Sequence, residues 1–196
     1  TSMTITKYES YLKYYSNATA KNAGVSAKYR KFAVAGAQKQ LSAFFKLSTA
    51  QKKQYIKALT TICKVQDYSI NQDISYEHAK NGTKIHTKTV KATCDWKPGK
   101  YFPSILKFRD TVTYRVKAKK VLRTTSSDNY VLSNYNPFVS LKKTGNKRHV
   151  SKNKAYTWAR WKYVLGVGKY VAHLGNINFS IQGNYKGRLT NYHSWK

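Results

Sequence analysis

From Ala155 to Leu165 the chain alternates residue by residue. Ala155, Thr157, Ala159, Trp161, Tyr163 and Leu165 fall on one side of an extended backbone, and Tyr156, Trp158, Arg160, Lys162 and Val164 on the other. An amphipathic helix needs three- and four-residue steps, so a two-residue period makes this stretch a strand with one face in a core and the other wet and cationic. After Gly166-Val167-Gly168 the pattern resumes, with Ile177, Phe179, Ile181, Gly183 and Tyr185 set against Asn178, Ser180, Gln182, Asn184 and Lys186. It occurs upstream as well, where Phe108, Asp110, Val112, Tyr114, Val116 and Ala118 alternate with Arg109, Thr111, Thr113, Arg115, Lys117 and Lys119. Strands that are wet on one face belong to antiparallel sheets.

The first third of the chain has a different period. Ile5, Tyr8, Tyr11, Leu12 and Tyr15 recur at helical spacing and predict a short helix from Thr6 to Ser16, followed by a linker from Asn17 to Gly24. Ser26 is expected to cap a second helix running to Lys46, whose Tyr29, Phe32, Ala33, Gly36, Ala37, Gln40, Leu41 and Phe44 form a face of mostly small residues. Ser48-Thr49-Ala50-Gln51 is a capping box, and the helix it opens, with Tyr55, Ile56, Leu59 and Ile62 as its stripe, is expected to end near Cys63. Beyond that point the period falls to two. Gln66 to Glu77 reads as a strand, Asn81-Gly82 as a hairpin turn and Thr83 to Cys94 as a Thr/Lys-rich strand. Pro98-Gly99 and Pro103 mark a loop, Thr124 to Asn129 a polar turn, Asn134 to Pro137 a break, and Thr144-Gly145-Asn146-Lys147-Arg148 a basic loop. Helices first and strands afterwards is an α+β order. The expected organisation is a helical N-terminal region over residues 4–63 and a β-rich domain over 64–196, built as an antiparallel β-sandwich or a strongly curved sheet.

Lys and Arg number 37 against 7 Asp and Glu, a formal charge of +30, and no acidic residue follows Asp128. Such a field repels itself in the folded state and attracts polyanions. The 17 Tyr, 7 Phe and 4 Trp add flat apolar surfaces with polar tips, suited to contacts with sugars, phosphates and interfaces, and also to ordinary strands.

Reactive chemistry is harder to place. His78, His86, His149, His173 and His193 stand far apart, and no HExxH, CxxC or HxH spacing occurs. The seven acids are scattered, with Asp95, Asp110 and Asp128 more simply explained as partners of the surplus cations than as a hydrolytic pair. There is no GxSxG, and Gly166-Val167-Gly168 lacks the residues that would cradle a phosphate. No enzymatic activity, metal or cofactor is expected. Cys63 and Cys94 are expected to form a disulfide closing a loop worth about 3 to 4 kcal/mol in the chain-entropy model, although two buried thiols would look the same in sequence.

No run of about 18 apolar residues occurs, so no single-helix membrane span is expected. The basic amphipathic helices, and the Ala/Gly-rich Phe32 to Phe45 above all, fit packing on a sheet and also insertion into a membrane surface. Thr1-Ser2-Met3 reads as a cloning remnant ahead of a mature chain, which fits a secreted protein. Tyr130-Val131-Leu132-Ser133-Asn134-Tyr135-Asn136-Pro137, Trp158 to Gly166 and Gly183-Asn184-Tyr185-Lys186-Gly187 resemble a family of exported, uncharacterised proteins of Gram-positive bacteria, with a helical first part containing a segment like Phe45-Lys46-Leu47-Ser48. The resemblance implies export and a β-rich second half, and carries no catalytic residues with it. The end of the chain is also similar to small secreted β-sandwich bacteriocins, through tyrosines alternating with small polar residues before Trp195.

The expectation is a secreted, strongly cationic, non-enzymatic protein binding anionic polymers or lipids of a bacterial cell envelope, such as teichoic acid. The alternatives are a bacteriocin-like membrane-damaging toxin and a nucleic-acid-binding protein. The expected anion-binding face joins Arg109, Arg115, Lys117 and Lys119 on one strand to Lys147, Arg148, Arg160 and Lys162 beside it.

Overall fold

The computed structural model describes residues 2–61, 67–77, 85–167 and 170–195, and of 67–77, 167, 170–173 and 191–195 the backbone alone. Among the described residues four α-helices, α1 (Ile5–Lys13), α2 (Asn17–Asn22), α3 (Arg30–Phe45) and α4 (Thr49–Leu59), precede eight strands. These are β1 (Asp67–Glu77), β2 (Ile85–Lys97), β3 (Leu106–Lys117), β4 (Lys120–Asn134), β5 (Val139–Ser151), β6 (Lys154–Val167), β7 (Tyr170–Gly183) and β8 (Leu189–Trp195). The strands make two antiparallel sheets, each in chain order, β1-β2-β3-β4 and β5-β6-β7-β8, which pack face to face. The α+β class is as the periodicities require.

The inner faces are the rows that the alternation assigns to the core. Phe108, Val112, Tyr114 and Val116 of β3 are buried against Ala155, Ala159, Trp161, Tyr163 and Leu165 of β6 and Ile177, Phe179 and Ile181 of β7. The Phe108 and Trp161 rings lie 5.9 Å apart across the two sheets. Only Ala118 of the β3 row departs from its expected place. It is exposed and, with Lys119, forms the two-residue β3–β4 turn, at φ of 47° and 65°.

Several local readings are corrected. Asn17–Asn22 is a helix and not a linker, because Ser16 and Thr19 form a reciprocal capping box. Ser26 does not cap the second long helix: a short 3₁₀ turn, Ala27–Tyr29, intervenes, and the Ser26 hydroxyl accepts from the Val131 amide at 3.0 Å. Ser48 and Gln51 do form the expected box, but α4 ends at Leu59; Ile62 and Cys63 lie outside the described residues, as does Asn81-Gly82 between the paired β1 and β2. Thr124 to Asn129 is not a turn. Those residues pair with Asp110 to Tyr114 through a register shift between Thr113 and Tyr114, and an edge strand tolerates small polar residues because one side has no neighbour to pack. Thr144 to Arg148 is likewise strand, carried past a register shift between Lys143 and Gly145 into pairing with Thr157 to Arg160.

The helices cover the end of the sandwich where β4 crosses to β5. Asn134 governs that crossing, its side-chain amide donating to the Ala23 and Val139 carbonyls at 3.1 and 2.8 Å while its oxygen accepts from the Asn136 amide at 2.9 Å. Asn136 donates to the Leu59 carbonyl at 2.8 Å, and the Tyr8 and Tyr15 hydroxyls donate to the Tyr135 and Asn134 carbonyls. The Tyr135 hydroxyl donates back to the Ala33 carbonyl on α3, where a side chain at Gly36 would strike it. Gly24, at φ +86°, lets the segment before α3 lie on the Leu141 carbonyl of β5, where no Cβ fits. Helices and sheets therefore share one core.

Candidate polyanion-binding surfaces

Strand parity places Arg109, Arg115 and Lys117 on the outer face of the first sheet, as expected. The Arg109 Nε donates to Thr93 Oγ1 at 3.2 Å, and its guanidinium carbon lies 5.9 Å from the Tyr29 ring centroid, so this arginine is partly engaged by the protein. Lys119 sits in the β3–β4 turn at the far end, where its carbonyl accepts from Asn153 of the β5–β6 turn at 3.0 Å. That contact, and the Val121 amide donating to Asn153 Oδ1 at 2.8 Å, set Lys119 and Lys120 beside Lys152 and Lys154.

Lys147, Arg160 and Lys162 are not beside that row. They project from the outer face of the second sheet, on the opposite side of the sandwich, because β4 hands the chain from one sheet to the other before β5 begins. Arg148 points the other way. Its register partner is the buried Thr157, and its guanidinium donates to the Thr124 carbonyl and hydroxyl of β4 at 2.8 and 3.1 Å, closing the edge between the sheets. The eight cations thus divide among two opposite faces, one edge and the β3–β4 turn.

On both faces cations stand directly opposite cations. Arg115 pairs across the strands with Arg123 and Lys117 with Lys120 on the first sheet, and Lys142 with Lys162 on the second. Like charges in this position are destabilising unless an anion lies between them. Among the described residues one ion pair is present, Lys107 Nζ to Asp95 Oδ1 at 3.7 Å. Pairing every one of the 7 acids would still leave a surplus of 30 cations.

A third basic surface was not read from the sequence. Between α3 and the 97–103 loop two adjoining hollows of about 760 and 450 Å³ meet at Lys39, Ala43, Lys97 and Pro103. Lys46, Lys100 and Lys107 complete a lysine rim over a floor of small residues, with Phe32 and Tyr101 exposed at the margins. The spacing of Lys39, Ser42 and Lys46 put them on one helical face, but only the packing of the proline-containing loop gives that face an opposite wall.

Among the described residues two acids are buried, Asp95 on β2 and Asp110 on the inner face of β3; the hydrogen bonds of Asp110 reach toward the second sheet. The Asp110 Oδ1 accepts from Asn129 Nδ2 at 2.7 Å, the same amide reaches Thr157 Oγ1 at 3.2 Å, and the Asp110 Oδ2 has no partner among the described residues. Burial pushes this carboxyl well above the usual carboxylate range, opposed by the Asn129 hydrogen bond and the charge of Lys143. Through Asn129 it links the sheets, and it lines neither of the two hollows beside α3. Cys94 is buried on β2, and the expected bridge partner, Cys63, lies outside the described residues. No described helix is long and apolar enough to cross a membrane. Comparison with protein-family models, with curated proteins and with solved structures finds no match to the chain.

Proposed function

We propose that this is a secreted, non-enzymatic cationic protein that binds anionic polymers of a bacterial cell envelope, with teichoic acid or anionic lipid headgroups as its partners. The carrying observation is the set of directly opposed cation pairs, Arg115 with Arg123, Lys117 with Lys120 and Lys142 with Lys162, on faces that a bound polyanion would relieve. A chain of phosphates meets many such positions at once, so individually weak contacts sum to retention. Binding falls steeply as salt rises.

A second reading, damage to membranes, draws on the helical end, where Phe32, Phe45 and Tyr101 are exposed among Lys39, Lys46, Lys52 and Lys100. Exposed rings among lysines suit the headgroup level of an anionic bilayer. One paired experiment separates the two. The protein is sedimented with teichoic-acid-bearing cell walls and with dye-loaded vesicles containing phosphatidylglycerol, and bound protein and released dye are read from the same samples. Binding to walls and vesicles without release is the expected result. Release at low protein-to-lipid ratio supports the toxin reading, and no binding to either at low salt contradicts both.

A further inference from the structure

The two outer faces differ in more than position. On the first sheet the outward row of β3 is Lys, Arg and Thr, with rings only at its Arg109 end, where Tyr29 and Tyr130 lie. On the second, the outward row of β6 interleaves rings with cations, Tyr156, Trp158, Arg160 and Lys162, and its neighbours on β7 are the amides and hydroxyl of Gln182, Ser180, Asn178 and Asn176.

The rings and the arginine are held in place. A Cβ at Gly145 would come within 3.3 Å of the Trp158 ring, so the glycine at the β5 register shift leaves the indole room to lie close against the neighbouring strand. His149 and Tyr156 stack side by side across β5 and β6, centroids 4.7 Å apart and planes 11° apart. The Arg160 Nε donates at 3.0 Å to Oδ1 of Asn178, a residue only 3% exposed, and its guanidinium carbon lies 5.3 Å from the Trp158 centroid. This fixes the plane of an otherwise exposed guanidinium and leaves its terminal nitrogens without a protein partner among the described residues. No acidic residue occurs from Asn129 onward, so no carboxylate of the second sheet competes for that fork.

We infer that the outer face of the second sheet is a binding site for an anionic glycan, a chain of sugar rings bearing carboxylate, sulfate or phosphate groups. The inference rests on the polyanion reading above and deepens it. The C–H face of a sugar ring packs on the negative face of an aromatic ring. A planar guanidinium takes a carboxylate or phosphate through two parallel hydrogen bonds, which a lysine cannot do. The accessible side-chain amides on β7, those of Gln182 and Asn176, meet hydroxyls. Tyr156 and Trp158, two residues apart on one face, are separated by about 6.6 Å along the strand, so one chain lying along β6 touches both rings and then Arg160 and Lys162. Charge alone would be served as well by the first sheet. The rings and amides are what single out a sugar chain.

The test uses the full chain and four probes in moderate salt: polygalacturonate, polyphosphate, neutral dextran and oligo-dT. Wild type is expected to bind polygalacturonate more tightly than polyphosphate of equal charge and to leave dextran unbound. Trp158→Ala is expected to weaken polygalacturonate about tenfold while changing polyphosphate by less than about twofold. Arg160→Lys keeps the charge and loses the fork, and is expected to weaken polygalacturonate about fivefold with an unchanged melting temperature; it carries the test if Trp158→Ala fails to fold. The inference is overturned if neither variant affects polygalacturonate, if both probes weaken equally, or if oligo-dT binds more tightly than polygalacturonate and loses more on Trp158→Ala. Absence of wild-type binding to every polyanion would remove the polyanion reading as well, whereas strong but variant-insensitive binding removes only the assignment of this face.

Discussion

At the scale of single residues, the interior polar groups carry the sharpest expectations. The Asp110 carboxyl is raised in the folded state above its ordinary value of 3.8, so folding retains a proton that the unfolded chain gives up. Stability from this group is therefore full below that value and falls as pH rises through the window up to the folded value. Asp110→Asn keeps the acceptor for Asn129 and removes the charge. It is expected to stabilise the protein at neutral pH by about 1 to 3 kcal/mol, and the gain should shrink toward acid. Melting temperatures of both proteins across pH check this, and a variant less stable than wild type at every pH contradicts it. Asn134→Ala removes three interior hydrogen bonds at the β4–β5 crossing and is expected to cost about 2 to 4 kcal/mol in denaturant unfolding. The motif around Asn134 was legible as a break, but its role as the joint between helices and sheets was not. Which carbonyls an asparagine reaches depends on segments more than a hundred residues away, such as Ala23.

Among the elements, strands were readable wherever one face is core. The β3, β6 and β7 rows follow a strict two-residue period because each is covered on one side only. The misread pieces, Thr124–Asn129 and Thr144–Arg148, lie on β4 and β5, which end their sheets, so burial imposes less on their sequence. Parity gives the side of a strand on which a residue lies, but not the sheet to which the strand belongs. That is why the cations of β3 and β6 were expected side by side and are found on opposite faces. The opposed pairs make an element-level prediction with two signs. Arg123→Glu creates a cross-strand ion pair with Arg115 and is expected to raise stability by about 0.5 to 1 kcal/mol while weakening polyanion binding. Thermal melts and wall sedimentation of the same variant check both, and stability gained without loss of binding would remove this face from the site. The helical end makes a prediction in alkali. Burial raises the phenols of Tyr8, Tyr15 and Tyr55, and that of Tyr135 to about 12, against an unfolded value of 10.0. Stability is thus present below pH 10 and lost as pH rises past it. These phenols are expected to ionise in one step with loss of helical circular dichroism, and phenolate absorbance appearing while the helices remain intact contradicts that packing.

For the whole molecule, a formal charge of +30 on 196 residues is a standing repulsion that the fold carries in the absence of a partner. The sequence showed the sign and size of that charge. It could not show that the surplus divides between two opposed sheet faces and a lysine-rimmed groove, because that division depends on the crossing at Asn134 and on the loop beside α3. A partner that binds only the folded form raises the melting temperature by mass action. The most direct measurement is therefore thermal unfolding at low salt with and without purified teichoic acid, repeated at high salt. A rise of several degrees that disappears at high salt is the predicted result. An unchanged or lowered melting temperature at low salt would contradict the claim that the paired cations of the outer faces hold an anionic polymer.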